Sequence, residues 1–302
     1  MITTHAPATP ATATHRDGLI SAHIAALLFG LTGLLGALIN ANAFIITSGR
    51  AAFAVLALLL FAQLLRRPLF KGLSWPRAVA MVVSGAMLTS HWVSFFIAVK
   101  VGGVAVATLG FASFPAFIAA LDKLVFRTPV GLFEGLMLLL VTVGLVLVVP
   151  SFDFADHGTL GLLWGLASGL SFAALAITNQ RYTKGMDAMQ VSLWQNFTVT
   201  ALVVPFALSG VANYTLQLAD WLYIVLLGVF CTALSQFLFI KSLDTLQARS
   251  AGMILALEPV YAIAGAWLIF NEQPTLRMLT GAALIICATL LSTRSKMAET
   301  LH

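Results

Sequence analysis

The chain has 302 residues, of which 60% are hydrophobic and only 9% are charged. Soluble proteins average about 45–50% apolar and about 25% charged residues, so this composition excludes a water-soluble globule and indicates a chain solvated mainly by lipid. The net charge of +5 comes from basic residues scattered between apolar runs, a distribution that argues against nucleic-acid binding.

Apolar stretches of about 20 residues, the length of a helix that crosses a bilayer, recur along the whole chain. They predict an all-α integral membrane protein with ten transmembrane helices, at residues 18–39, 43–65, 78–99, 104–121, 131–149, 160–179, 189–209, 221–240, 250–270 and 276–292. Asn40 and Asn42 favour a tight turn between the first two spans. Residues 1–17 and 293–302 are predicted to be tails, the first of them disordered because it is rich in Ala, Thr and Pro.

The distribution of Lys and Arg predicts the orientation of these spans. With the amino terminus in the cytoplasm, 13 of the 16 basic residues lie at cytoplasmic ends of spans. Lys100 and Arg277 fall on the opposite side, and Arg50 falls within the second span. An even number of spans places both termini in the cytoplasm. We expect a multi-pass protein of the inner membrane.

The two halves of the chain show a weak internal repeat. A shift of about 144 positions places Phe114-Pro115 on Glu258-Pro259. The halves are then five-helix units at residues 18–150 and 160–292, and because five is odd, the second unit is inverted in the membrane. Many secondary transporters have such inverted repeats, with the substrate site between them. Pro115 and Pro259 each remove an intrahelical hydrogen bond and are predicted helix kinks.

Two charged residues fall inside the predicted spans, where a charge costs about 2.5–3.5 kcal/mol on insertion scales and therefore needs a reason. Arg50 is a candidate for holding a substrate carboxylate, and the alternative is that it caps backbone carbonyls or reaches toward the membrane surface. Glu258 is a candidate for binding a substrate amine or a proton. Its alternative is a structural carboxyl that is hydrogen-bonded to backbone freed by Pro259.

Uncharged residues complete the candidate substrate-binding set. His91 and Trp92 in the third span offer a titratable group and a stacking surface. Helical spacing places four further candidates on inward faces: Trp164, Gln195, Gln236 and Tyr261. The alternative for each polar candidate is helix packing, because polar side chains also hydrogen-bond between transmembrane helices. Two glycine ladders predict close helix contacts: Gly30, Gly33 and Gly36, and Gly161, Gly165 and Gly169.

Enzymatic patterns are missing from the sequence. It contains no GxSxG, HExxH, GxxxxGK[ST] or paired-acid motif, so neither catalysis nor a metal or cofactor is expected, and transport would have to use a gradient. An intramembrane enzyme that uses His91, Glu258 or Arg50 on a lipid-linked substrate is an alternative without a recognisable catalytic constellation. A channel is a further alternative, and the sequence shows no filter motif for it.

The run RSAGMILALEPVYAIAGAWLIFNEQP at residues 249–274 and its first-half copy ATLGFASFPAFIAALDKLVF at residues 107–126 resemble the drug/metabolite transporter superfamily. Together with Arg50 and ten short-looped spans in two halves, they are similar to the EamA-type ten-helix exporters. The first half departs from the pattern, with Arg127-Thr128 where a Gly-Glu pair is common. The stretch SHWVSFFIAVKVGGVAVATLGFASFPAF at residues 90–117 is most similar to YddG-type exporters of aromatic amino acids.

This resemblance implies a bundle around a central cavity that exports small metabolites by alternating access. Amino acids, aromatic ones preferred, are the expected substrates, with a broad drug or cation exporter of the same superfamily as the alternative. The expected partners are a small-molecule substrate and the lipid bilayer, without nucleic acid. The oligomeric state is left open, and a monomer is compatible with the sequence.

Overall fold

The computed structural model describes residues 15–67, 69, 73–126, 132–148, 155–183, 186–242, 245–246, 254–255 and 257–295, and contains no strand within these ranges. The helices are α1 (His15–Leu38), α2 (Ala43–Leu64), α3 (Trp75–Phe111), α4 (Phe114–Phe126), α5 (Leu132–Val148), α6 (His157–Tyr182), α7 (Ala188–Val211), α8 (Leu218–Gly228), a π-helical segment (Val229–Leu234), α9 (Ser235–Ser242), α10 (Glu258–Phe270) and α11 (Leu276–Ser295). Most of the predicted tails, Arg127-Thr128 and the predicted start of the ninth span at residue 250 lie outside the described ranges.

Among the described residues, six helices are long and apolar enough to cross a membrane by length and composition. They are α1, α2, α3, most of α6, α7, and the stretch from α8 into α9. The predicted turn between the first two spans is confirmed, because Asn42 caps α2 by accepting a hydrogen bond from the Ile45 amide at 3.0 Å. The ten-span count itself stays a prediction.

The third and fourth predicted spans meet differently from the sequence prediction. The structure joins residues 75–111 into one helix that is interrupted at Gly103, where φ is 83° and ψ is 168°. The chain then turns at Ala112 and Ser113, and Pro115 lies in the first turn of α4. Pro259 likewise lies in the first turn of α10. Each proline therefore lies just after an interruption of the helix, in a first turn where no amide donor is needed, and its role as a kink stays a prediction.

The bundle is apolar outside and partly polar inside. Large side chains such as Leu268 (83% exposed) and Leu124 (78%) point away from the protein, whereas Arg50 and Asn196 are buried. This arrangement suits a bilayer, because lipid accepts exposed leucine and penalises an exposed charge.

Both glycine ladders pack as the sequence predicted. Gly161 in α6 meets the backbone of Gly102 in α3, and Gly165 lies so near α3 that an added Cβ would be 2.9 Å from the Ala107 carbonyl oxygen. In α1, an added Cβ on Gly30 would lie 2.9 Å from the Tyr261 Cβ of α10. The helices thus approach at backbone distance, as small residues allow in membranes. Helix α2 packs on α7, and α5 packs on α11.

Two charged residues join helix ends near Gly103. Lys100 donates hydrogen bonds to the Ala37 carbonyl at 3.2 Å and to the Ile39 carbonyl at 2.5 Å, at the carboxyl end of α1. The Glu272 carboxylate accepts from the Ala105 amide at 3.5 Å, where α3 resumes after its interruption. A cation at a helix carboxyl end and an anion at an amino end both have the favourable sign for the helix dipole.

Candidate functional site

The interior of the bundle holds a buried arginine stacked on a tryptophan. Arg50 is only 4% exposed, and its guanidinium carbon lies 4.0 Å from the centroid of the Trp92 ring. The Phe96 ring centroid lies 5.8 Å away. Helix α2 supplies the arginine and α3 the two rings. Two residues that the sequence proposed separately are thus brought into direct contact, in a cation–π geometry that favours a charged guanidinium in a desolvated place.

The π-helical segment holds the other side of this guanidinium. Arg50 Nε donates to Thr232 Oγ1 at 2.7 Å, and Nη2 donates to the Cys231 carbonyl at 3.4 Å. The close approach depends on Gly228, because a Cβ there would lie 2.6 Å from the Arg50 carbonyl oxygen. No residue pattern distinguishes the π-helical segment from a continuous α-helix, so the sequence did not predict it.

Glu258 lies in the first turn of α10 and interacts electrostatically with Arg50. Its backbone is held against α1, since an added Cβ on Gly30 would lie 3.1 Å from the Glu258 carbonyl oxygen. The two intramembrane charges proposed from the sequence therefore belong to one region of the interior. Arg50 is buried and Glu258 is partly buried, and opposite charges with little water around them attract more strongly than they would at a solvated surface.

His91 occupies an aromatic cluster next to the Arg50 site. Its ring centroid is 4.9 Å from that of Phe111 and 5.1 Å from that of Phe172. His91 Nδ1 lies 2.7 Å from Ser168 Oγ, and this hydroxyl donates to the His91 carbonyl at 3.1 Å. Because a hydroxyl has one hydrogen, these two bonds together require the imidazole proton on Nδ1. Ser168 thereby links α6 to α3 and fixes the ring.

Gln195 and Gln236 form interhelical hydrogen bonds. Gln195 Nε2 donates to Ser84 Oγ at 2.9 Å and to Asn179 Oδ1 at 2.8 Å, which ties α7 to α3 and α6. Gln236 Oε1 accepts from Ser192 Oγ, which ties α9 to α7. These contacts favour the packing interpretation for both glutamines, because they use side-chain groups that a substrate would otherwise meet.

The remaining two candidates are Trp164 in α6 and Tyr261 in α10. Trp164 lies in α6 between Gly161 and Gly165, the two glycines that meet α3, and its own side chain is 42% exposed. Its predicted place on an inward face stays a prediction. The Tyr261 hydroxyl lies 3.5 Å from His23 Nδ1, which links α10 to α1.

The two halves of the chain match one family. The profile of the EamA-like transporter family matches residues 16–149 and, a second time, residues 159–294. An uncharacterized transporter of Archaeoglobus fulgidus is 26% identical over 202 residues, covering 67% of this chain and 71% of the relative. An S-adenosylmethionine uptake transporter of Rickettsia bellii is 27% identical over 216 residues, covering 71% and 72%.

A further relative and a solved structure agree with this likeness. The uncharacterized transporter YoaV of Bacillus subtilis is 23% identical over 188 residues, covering 59% of this chain and 63% of the relative. A crystal structure of an 18% identical protein superposes with a TM-score of 0.66, over 96% of this chain and 100% of the other. At this identity the superposition shows a shared fold alone.

Proposed function

Because the chain belongs to the EamA-like transporter family, we propose that it is a secondary transporter of the inner membrane that exports amino acids, aromatic ones preferred, and related small metabolites by alternating access. It works as two inverted five-helix units, residues 18–150 and 160–292, with both termini in the cytoplasm. The two separate family matches, each covering about one half of the chain, support this division.

The observation that carries the substrate proposal is the buried Arg50 guanidinium on Trp92, within electrostatic range of Glu258. An amino acid carries a carboxylate and an ammonium two bonds apart. Arginine is the side chain best suited to a carboxylate, since it presents paired donors in one plane. Glu258 supplies the opposite charge for the ammonium. The pair therefore offers one positive and one negative group for the two charges of a zwitterion.

The preference for aromatic side chains rests on the neighbouring rings. Phe111, Phe114 and Phe172 have ring centroids 5.0–5.4 Å apart, and His91 lies against two of them. Such a surface favours an aromatic ring through offset and edge contacts worth about 0.5–1.5 kcal/mol beyond the area buried. Helix α3 carries both Trp92 and His91, so the polar and aromatic ends of the site are adjacent.

The test is efflux from proteoliposomes preloaded with labelled phenylalanine or tryptophan. The purified protein should release both faster than protein-free liposomes, and faster than it releases labelled glutamate. Glu258→Gln should slow efflux at least tenfold, because it removes the charge that faces the ammonium. Arg277→Gln, which removes an exposed charge in α11, is the control and should match the wild type. Equal release from protein-free and protein-containing liposomes for every amino acid tested would refute the substrate proposal.

A second candidate is an organic cation that also carries an amino acid group, as S-adenosylmethionine does. The Rickettsia bellii relative, named for uptake of this compound, is the specific observation in its favour. The compound has the same carboxylate and ammonium, and it adds a purine ring and a positive sulfonium that aromatic faces attract. Competition separates the two: inhibition of labelled phenylalanine efflux by S-adenosylmethionine but not by tryptophan would favour this candidate. Inhibition by simple methylated cations alone would instead indicate a broad exporter of cationic drugs.

A further inference from the structure

An arginine guanidinium has two faces that can hold a carboxylate. The side face combines Nε–H with the adjacent Nη2–H, and the end face combines one N–H from each terminal nitrogen. In Arg50 the side face is occupied by the π-helical segment, through Thr232 Oγ1 at 2.7 Å and the Cys231 carbonyl at 3.4 Å. Within the described ranges the other terminal nitrogen, Nη1, donates no hydrogen bond.

The orientation of Thr232 is itself fixed. Thr232 is fully buried, and its hydroxyl donates its one hydrogen to the Leu227 carbonyl, five residues back, at 2.8 Å. The Thr232 oxygen can therefore act only as an acceptor toward Arg50. The π-helical segment makes this possible, because the wider turn places the residue 232 side chain and the residue 231 carbonyl on the same side. Single π turns inside α-helices are often found at functional sites.

Trp92 and Thr232 together restrict how the Arg50 guanidinium can tilt and rotate. With its carbon 4.0 Å from the indole centroid, the guanidinium cannot tilt out of the stacking plane without losing the cation–π contact. The Thr232 bond then prevents rotation within that plane. Together they hold the end face in one direction.

We propose that Thr232 is a positioning residue, which occupies the side face of Arg50 so that the end face is presented as a fixed two-donor fork for a planar, two-oxygen anion, the carboxylate of the transported molecule. This inference rests on the proposed function for the identity of the substrate. It adds that selectivity for a carboxylate over a neutral amide depends on the Thr232 hydroxyl, a group that does not itself touch the substrate.

The experiment compares L-phenylalanine with L-phenylalaninamide, in which a neutral amide replaces the carboxylate while the ammonium and ring are retained. Binding of each to the purified protein is measured by its effect on thermal unfolding in detergent. The wild type should bind phenylalanine at least tenfold more tightly than the amide. Thr232→Val, which keeps the side-chain shape and removes the hydroxyl, should reduce this ratio about tenfold, whereas Thr232→Ser should retain it.

Transport kinetics separate a positioning role from a merely structural one, because a structural role alone would not change KM while leaving kcat nearly constant. Thr232→Val should raise the KM for phenylalanine about tenfold and leave kcat within about twofold, because uniform binding is lost. Thr47→Val is the matched control: Thr47 is fully buried one helical turn before Arg50, and its hydroxyl has no hydrogen-bond partner in the structure as described. It should change neither the ratio nor the KM.

Different results would refute the proposed function and the positioning role of Thr232. Phenylalanine efflux with an unchanged binding ratio in Thr232→Val would overturn the positioning role and leave the proposed function intact. Carboxylate-selective binding that is lost in Thr232→Val, without efflux of any amino acid, would overturn export and retain the positioning role. If Thr232→Val does not fold, Thr232→Ala replaces it, and a wild-type ratio in that variant would likewise overturn the inference.

Discussion

The conformation of Gly103 makes a stability prediction that separates backbone strain from packing. Its φ of 83° and ψ of 168° fall in a region that only glycine occupies readily, and an added Cβ would lie 3.0 Å from Glu272 Oε1 and 3.2 Å from Oε2. Gly103→Ala therefore forces two changes. The backbone must accept a strained angle pair, and the Glu272 carboxylate must move away from the amino end of the resumed helix.

Both costs can be assigned a magnitude. Holding a residue other than glycine in this region costs about 1–3 kcal/mol. Displacing the Glu272 carboxylate from the Ala105 amide at 3.5 Å removes a cap-like interaction, for which losses of about 0.5–2 kcal/mol are typical. We expect Gly103→Ala to lower the free energy of unfolding by the sum of the two costs, about 1.5–5 kcal/mol. In a Glu272→Ala background the same substitution should cost only the backbone part, about 1–3 kcal/mol.

The assay is reversible unfolding in mixed micelles, followed by tryptophan fluorescence, for the two single variants and the double variant. Gly135→Ala in α5 is the matched control, because no heavy atom lies within 4 Å of a Cβ added there. That substitution should be neutral or stabilise the protein by up to about 1 kcal/mol, since alanine is the better helix former. A Gly103→Ala protein as stable as the wild type would refute the strain argument. Equal costs with and without Glu272 would refute the contact.

Three further variants test the packing and the surface charges. Gly161→Ala should destabilise the protein by about 1–3 kcal/mol in the same unfolding assay, because its Cβ would meet the backbone of Gly102; unchanged stability would show that α3 and α6 can separate at no cost. Lys100→Met should cost about 1 kcal/mol by removing the bonds to the α1 carbonyls, and no loss would mean that these bonds are replaced by water. Arg67→Ala should cost less than about 1 kcal/mol, because its ion pair with Asp187 is 3.6 Å long and 60% exposed on the arginine side; a larger loss would contradict this view of a surface pair.

The site was only partly readable from the sequence. Arg50 and Glu258 are conspicuous because a charge in an apolar run needs a reason, and the structure places them within electrostatic range of each other. Trp92 was a candidate as a stacking surface, and in the structure it lies against the arginine. Trp164 was chosen by helical spacing, which gives the angle around a helix and does not tell what that face meets, and its side chain is 42% exposed.

Composition and order along the chain were enough to establish a membrane protein made of helices, the turn at Asn40–Asn42, the close glycine contacts and the likeness to a transporter family. These features depend on local composition and on spacing within one helix, and both can be determined from the order of residues alone. The tertiary structure decided which interior groups meet: that α2 and the π-helical segment enclose one guanidinium, and that both glutamines are used in packing. The guanidinium contacts join residues 181 and 182 positions apart, and the glutamine contacts join residues 44 and 111 positions apart. Contacts over such separations follow from how the helices are placed against each other, which no local sequence pattern contains.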